Sequence, residues 1–212
     1  EMVASKVIEE MHWPYWWLQT ASVMAALLVI LPVLWRNGEK LPRRKDLKWV
    51  FARSLFGDAY WTLAIIAVLV GAAPGDVAAL TSIDIVAAAL LGLAFLGEKV
   101  SFLHVVAFGC SMAGAVFISQ PEFIFGAAEG SSRSYLGYIL ALLSGSFQAC
   151  SFVCARKSTD ISVGILSLVS MLLAIFVSSM MAAMPTAHKD YSLEPMLAAP
   201  WKALGIFLVI GV

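Results

Sequence analysis

The most regular feature of this chain is a succession of long apolar stretches separated by short polar segments. Six stretches hold about 20 predominantly apolar residues each, and a seventh begins at Ala203 and continues to the last residue. A helix of about 20 residues crosses a hydrocarbon core of roughly 30 Å. The pattern therefore predicts six membrane-spanning helices and the start of a seventh: 15–35, 54–73, 77–97, 100–119, 135–155 and 161–184, followed by 203 onward.

The apolar stretches are typical of helices rather than strands. They are apolar on every side, as expected for helices surrounded by lipid. None alternates between apolar and polar residues as a barrel strand does, and an isolated strand cannot satisfy its backbone polar groups in lipid. Only 13% of the residues are charged, against about 25% in an average soluble domain. The sequence thus predicts an all-α, polytopic membrane helix bundle, an integral multi-pass protein in a membrane that the sequence does not identify.

Lysine and arginine are unevenly divided between the two predicted sides of the membrane. Residues 36–53 alone hold seven of the fourteen, and the turns after the third and fifth stretches bring that side to ten. The opposite side holds four. Since short cytoplasmic loops carry the excess of positive charge, we expect residues 36–53 to face the cytoplasm. The net charge of zero gives no reason to expect a nucleic-acid partner.

Two acidic residues fall inside the predicted spans, where a carboxylate costs at least about 2.5 kcal/mol. Asp84 lies seven residues into the third span, and Thr81 lies one helical turn away on the same face. Asp58 lies five residues past Arg53, closer to the cytoplasmic side. Both carboxyl groups are candidates for binding a solute or a proton. The alternative for each is a structural acid whose hydrogen bonds are satisfied within the protein.

Two further polar residues are candidates for contact with a solute. Gln148 lies in the fifth span near several serines, where its amide can bind a polar solute or join two helices. Tyr60 lies in the second span, where packing is the alternative role. Ala141, Gly145 and Ala149 follow one another at intervals of four, the spacing that lets membrane helices approach closely. We expect this last pattern to mark a helix contact rather than a binding site.

The common signatures of catalysis and of cofactor binding are absent from the sequence. It has no phosphate-binding glycine loop, no HExxH or GxSxG motif and no calcium loop. Its three cysteines, Cys110, Cys150 and Cys154, lie in apolar stretches without metal-binding spacing. We therefore expect no metal, no cofactor and no enzymatic activity.

Residues 75–126 resemble the end of an EamA-type repeat of the drug/metabolite transporter superfamily, nearest to branches of the solute carrier 35 family. The resemblance rests on an alanine-rich helix that ends in Leu96-Gly97-Glu98, a following helix that contains Gly109 and Ala113-Gly114, and an exit at Gln120-Pro121. Relatives usually have a proline in the middle of the fourth helix, where this chain has Asp84-Ile85.

The resemblance implies ten helices in two inverted five-helix repeats, of which this chain is a fragment. Residues 1–119 would hold the later four helices of the first repeat, 120–134 an extracytoplasmic loop, and 135–212 the first three helices of the second repeat, the last one truncated. One more helix is expected before Glu1. Two are expected after the helix cut at Val212. The orientation that the resemblance implies agrees with the one that the Lys and Arg distribution predicts.

We expect this chain to carry a small polar metabolite across a lipid bilayer by alternating access. The candidate substrate-binding residues are Asp84, Asp58, Gln148, Tyr60 and Thr81. Two alternatives remain open, a membrane-embedded enzyme that acts on a lipid-soluble substrate and a scaffold that transports nothing. The sequence also leaves open whether the chain forms a homodimer.

Overall fold

The computed structural model describes residues 14–38, 42, 44–97, 102–119, 122–125, 135–158, 161–183 and 201. Within these ranges the regular elements are helices. In chain order they are α1 (Tyr15–Asn37), α2 (Arg44–Leu69), α3 (Pro74–Thr81), α4 (Asp84–Leu96), α5 (Phe102–Ser119), α6 (Glu122–Phe125), α7 (Tyr135–Arg156) and α8 (Val163–Ala182).

The helices confirm the predicted fold class. Within the described part of the chain, five segments are long and apolar enough to cross a membrane: Tyr15–Asn37, Asp46–Leu69, Pro74–Phe95, Tyr135–Arg156 and Val163–Ala182. The fourth predicted span, 100–119, coincides with helix α5. The seventh, from Ala203, lies outside the described residues. The chain is an integral, multi-pass membrane protein.

Helix α2 begins ten residues before the predicted second span, so that part of the basic segment is helical. Its first turns carry Arg44, Lys45 and Lys48, and Lys48 Nζ lies 5.4 Å from the centre of the Trp49 ring. A long basic side chain can pack its apolar stem beside an aromatic ring and keep its charge in water. No proline or glycine separates Arg44 from Ser54, and the helix therefore continues beyond the apolar stretch.

The third predicted span is interrupted, whereas the apolar pattern predicted one continuous helix. Helix α3 ends at Thr81 and α4 begins at Asp84. The hydroxyl groups of Thr81 and Ser82 donate hydrogen bonds to the carbonyl oxygens of Ala78 (3.1 Å) and Ala79 (2.6 Å). Serine and threonine that bond back to the preceding turn loosen and bend a helix. The span resumes with α4, which ends at Leu96 and is capped by Gly97 in the left-handed conformation (φ 67°).

The predicted loop 120–134 contains one described element, the single-turn helix α6. It contacts α3. The remaining residues of the predicted loop lie outside the described part of the chain.

The described residues divide into two compact units. The first comprises residues 1–54 and 158–212, and in it α1 packs against α8. Thr20 Oγ1 donates a hydrogen bond to Ser178 Oγ at 2.8 Å, and Ser178 donates to the carbonyl oxygen of Ala174. Ser170 of α8 donates to Ser54 at 3.0 Å. Within a membrane the surrounding lipid is as apolar as the side chains, so the hydrophobic effect does not drive helices together. Hydroxyl pairs of this kind help to join them instead.

The second unit comprises residues 55–157, and α7 is at its centre. Both halves of the third span, α3 and α4, pack against α7, and α3 also contacts α5. Ala141 and Ala149 of α7 are fully buried. This confirms that the small residues at intervals of four mark a helix contact, because side chains of one carbon or none let two backbones approach closely.

Candidate functional site

Gly145 in α7 lies against the interruption of the third span. A Cβ atom at this position would lie 2.6 Å from the carbonyl oxygen of Thr81 and 2.9 Å from Cγ2 of Ile83. Real Cβ atoms essentially never approach backbone this closely. The absence of a side chain at Gly145 therefore permits the contact between α7 and the end of α3.

The carbonyl group of Thr81 is released from the regular hydrogen bonding of its helix. In an α-helix the amide of Ile85 would donate to Thr81, but it donates instead to Ser82 at 3.4 Å. The amide of Ile83 likewise donates to Leu80, three residues back, at 3.4 Å. Regular α-helical bonding returns with Ala87, whose amide donates to Ile83 at 2.9 Å. A short stretch of three-residue bonding inside a helix often marks a hinge or a binding site.

Helix α2 meets α7 beside the same point. Ser144, the residue before Gly145, is fully buried, and its hydroxyl donates a hydrogen bond to the carbonyl oxygen of Tyr60 at 3.0 Å. The rings of Phe56 and Phe147 stack with their centres 5.9 Å apart. Two adjacent residues of α7 thus contact α2 on one side and the end of α3 on the other.

The third span and α7 run in the same direction, which places Asp84 and Gln148 at one level. Tyr138 Oη donates a hydrogen bond to Asp76 Oδ2 at 2.8 Å near the starts of α7 and α3, and Gly145 meets Thr81 further along both. Asp84 follows Thr81 by three residues and Gln148 follows Gly145 by three. Because helices that run side by side rise equally, these two polar residues lie at about the same depth.

Gln148 occupies the part of α7 between its two contact faces. Successive residues of a helix turn by about 100°, so Ser144 and Phe147 face α2 while Tyr138 and Gly145 face the third span. The position of Gln148 falls between these faces, and the side chain is half-buried. An amide in this position is available to a polar group that enters between the two contacts.

Asp58 is apart from this group, although it lies only two positions before Tyr60 in the chain. Two residues correspond to about 200° around the helix, so Asp58 lies on a different face of α2. Within the described part of the chain its Oδ2 atom is buried without a hydrogen-bond partner. A buried polar atom without a partner costs about 1–3 kcal/mol, and such an atom calls for an explanation, of which a bound ion or ligand is one.

Four of the five residues predicted from the sequence lie at about the same depth along their helices. Tyr60, Thr81, Asp84 and Gln148 lie at about the level of Gly145, and Asp58 lies on the other face of α2. Thr81 differs from its prediction in one respect. Its hydroxyl group donates a hydrogen bond within its own helix. Its carbonyl oxygen, which lacks the regular helical hydrogen bond, is therefore the group that can bind a solute.

Asp76 and Tyr138 form a buried polar pair that the sequence pattern did not reveal. Asp76 is 0% exposed, in the first turn of α3, and accepts the hydrogen bond from Tyr138. The apolar pattern predicts that the third span begins at Val77, but the helix begins three residues earlier, at Pro74, a position that proline favours. Proline followed two residues later by an acid is a signal for a helix start that could have revealed Asp76.

The candidate site offers carbonyl, carboxyl and amide groups to a ligand. The described residues contain no group of three or more His, Cys, Asp and Glu that could hold a metal ion. Oxygen and amide groups inside an apolar bundle are suited to binding a polar solute that must leave water behind.

Comparison with known proteins gives one match. A profile of the EamA-like transporter family matches residues 1–120. No curated protein and no solved structure matches the chain. The matched region is more than half of the 212 residues and includes both halves of the interrupted span. This chain belongs to the EamA-like transporter family.

Proposed function

We propose that this chain is part of a carrier that moves a small polar metabolite across a membrane by alternating access. The interrupted third span is the observation that carries this proposal. Carriers with inverted repeats bind their solutes where a discontinuous helix frees backbone groups within the membrane. Here the released Thr81 carbonyl, Asp84 and Gln148 supply those groups, and Tyr60 lies beside them.

The proposal includes two inverted repeats, and the chain would join parts of both. Residues 1–119 would contribute the later four helices of the first repeat, 120–134 the extracytoplasmic connection, and 135–212 the beginning of the second. The family match to residues 1–120 ends next to this boundary, which supports the division. The resemblance to the solute carrier 35 family belongs to the same proposal.

Uptake by proteoliposomes tests the proposed function. The full-length protein is reconstituted and offered a panel of labelled polar solutes, with protein-free vesicles as the blank. We expect saturable uptake of at least one solute, and we expect the Gln148→Ala variant to lose about tenfold, the effect of one lost hydrogen bond to a charged group.

Ser146→Ala is the matched control for this experiment. Ser146 lies on the same helix and is exposed, and its hydroxyl donates a hydrogen bond to the carbonyl oxygen of Leu142 in its own helix. It should transport at the wild-type rate. Equal uptake by protein-containing and protein-free vesicles across the panel contradicts a carrier.

A further inference from the structure

On the face of α2 that carries Asp58, two partly exposed positions lie between buried ones. Ser54, Ile65 and Val68 lie on this face and are 1%, 3% and 2% exposed. Between them, Asp58 is half-buried and Trp61 is 42% exposed. The covered positions before and after them distinguish this face from one that simply faces lipid. Asp58 and Trp61 therefore mark an opening on this face between the covered positions 54 and 65.

Asp58 and Trp61 are three residues apart, which places the carboxyl group and the indole ring on adjacent turns of one face. Tyr60 packs edge-on against Trp61, with ring centres 5.0 Å apart and an interplanar angle of 63°. This contact restrains the indole ring from one side. A carboxylate beside a restrained aromatic ring is the combination that binds organic ammonium groups, through charge and through the negative face of the ring.

We propose that Asp58 and Trp61 form a subsite for a positively charged ammonium group of the transported solute. The Oδ2 atom of Asp58 has no hydrogen-bond partner among the described residues, and an ammonium group would supply one. Because the terminal torsion of an aspartate rotates easily between two equivalent states, the buried oxygen can turn toward an incoming cation. The proposal rests on the carrier function proposed above and adds to it the chemical class of the solute.

Choline and 3,3-dimethylbutan-1-ol form a suitable probe pair, since they share a shape and differ in charge. Thermal unfolding of the purified full-length protein is measured as each probe is titrated. Choline should raise the unfolding midpoint in a saturable way, whereas its neutral counterpart should not. Asp58→Asn should weaken the apparent affinity for choline at least tenfold, and Trp61→Leu about threefold to tenfold, with Trp61→Phe intermediate, as expected for loss of a cation–π contact.

Asp46→Asn is the matched control, because Asp46 is an acid in the first turn of the same helix. It should leave choline binding unchanged. Equal responses to both probes, or no response to either, overturn the ammonium subsite, as does an Asp58→Asn variant that binds choline normally.

Uptake measurements distinguish failure of the subsite from failure of the carrier. Stabilisation by choline without uptake of any solute supports the subsite and contradicts the carrier. A different result would assign Asp58 to proton transfer. In that case choline does not stabilise the protein, uptake of neutral solutes changes the pH inside the vesicles, and the Asp58→Asn variant loses this uptake. That result overturns the ammonium proposal and leaves the carrier standing.

Discussion

Asp84 and Asp76 are carboxyl groups of the same interrupted span, and their surroundings differ. Asp76 is fully buried and bonded to Tyr138, whereas Asp84 opens α4 at the level of Gln148 and is partly exposed. A buried, bonded carboxyl group is typical of a structural role. A partly exposed one beside a released carbonyl group is better placed to meet a solute.

We expect Asp84→Asn to lower transport by more than tenfold at unchanged expression, because it removes the charge and keeps the shape. The stability should change little, since an acid in the first turn of a helix contributes only about 0.3–1 kcal/mol through the helix dipole. Initial uptake rates and the amount of protein in the vesicles are measured together. Near-normal uptake would assign Asp84 a structural role.

We expect Tyr138→Phe to destabilise the protein by about 1–3 kcal/mol, because it removes a hydrogen bond from a buried carboxyl group. The measurement is the midpoint of thermal unfolding in detergent. Tyr135→Phe is the matched control, since Tyr135 lies one turn earlier on α7 and is 75% exposed. Equal midpoints for the two variants would show that the Asp76 contact contributes nothing to stability.

At the level of elements, the decisive contact is the one between α7 and the interrupted span. We expect Gly145→Ala to cost about 1–3 kcal/mol, the usual effect of forcing an extra carbon into a packed contact. Gly109→Ala is the control, because a Cβ atom there would meet nothing within 4 Å. That substitution should be neutral or slightly stabilising, since alanine is the better helix former. Chemical denaturation of both variants checks the difference, and equal stabilities would contradict the close contact.

The spans that the structure describes were predictable from the sequence because each is a continuous apolar run whose length matches a bilayer. The interruption at Ser82 was not, since one threonine and one serine do not lower the apolar character of the run. The contact of Gly145 with the Thr81 carbonyl depends on the packing of two helices 64 positions apart in the chain. Asp84 and Gln148 were recognised as polar residues within spans, but only the packing shows that they share one level.

The whole molecule has a predicted orientation that labelling can check. We expect Asn37→Cys to be inaccessible from outside intact cells, because residues 36–53 carry half of the lysines and arginines. Tyr135→Cys, at the start of α7, should react with the same impermeant reagent. The native Cys110, Cys150 and Cys154 are first replaced. Rapid labelling at position 37 with none at position 135 would show that the predicted orientation is wrong.

The two compact units do not follow the order of the proposed repeats along the chain. The unit of residues 55–157 contains helices from before and after the boundary at 119, and so does the other unit. The common direction of the third span and α7 fits the predicted alternation, in which α5 crosses the membrane between them. Helices assigned to different repeats thus pack within one unit.

The interrupted span also has a consequence for biosynthesis. Helix α3 has 8 residues and α4 has 13, about 12 and 20 Å at 1.5 Å per residue, so neither half crosses the bilayer alone. The ribosome reaches Gly145 only 64 residues after Thr81, some seconds later at about 5–20 residues per second. Until then the Thr81 carbonyl has no α7 to cover it, and the nascent span needs either the translocon or a bound water to shield this group from lipid.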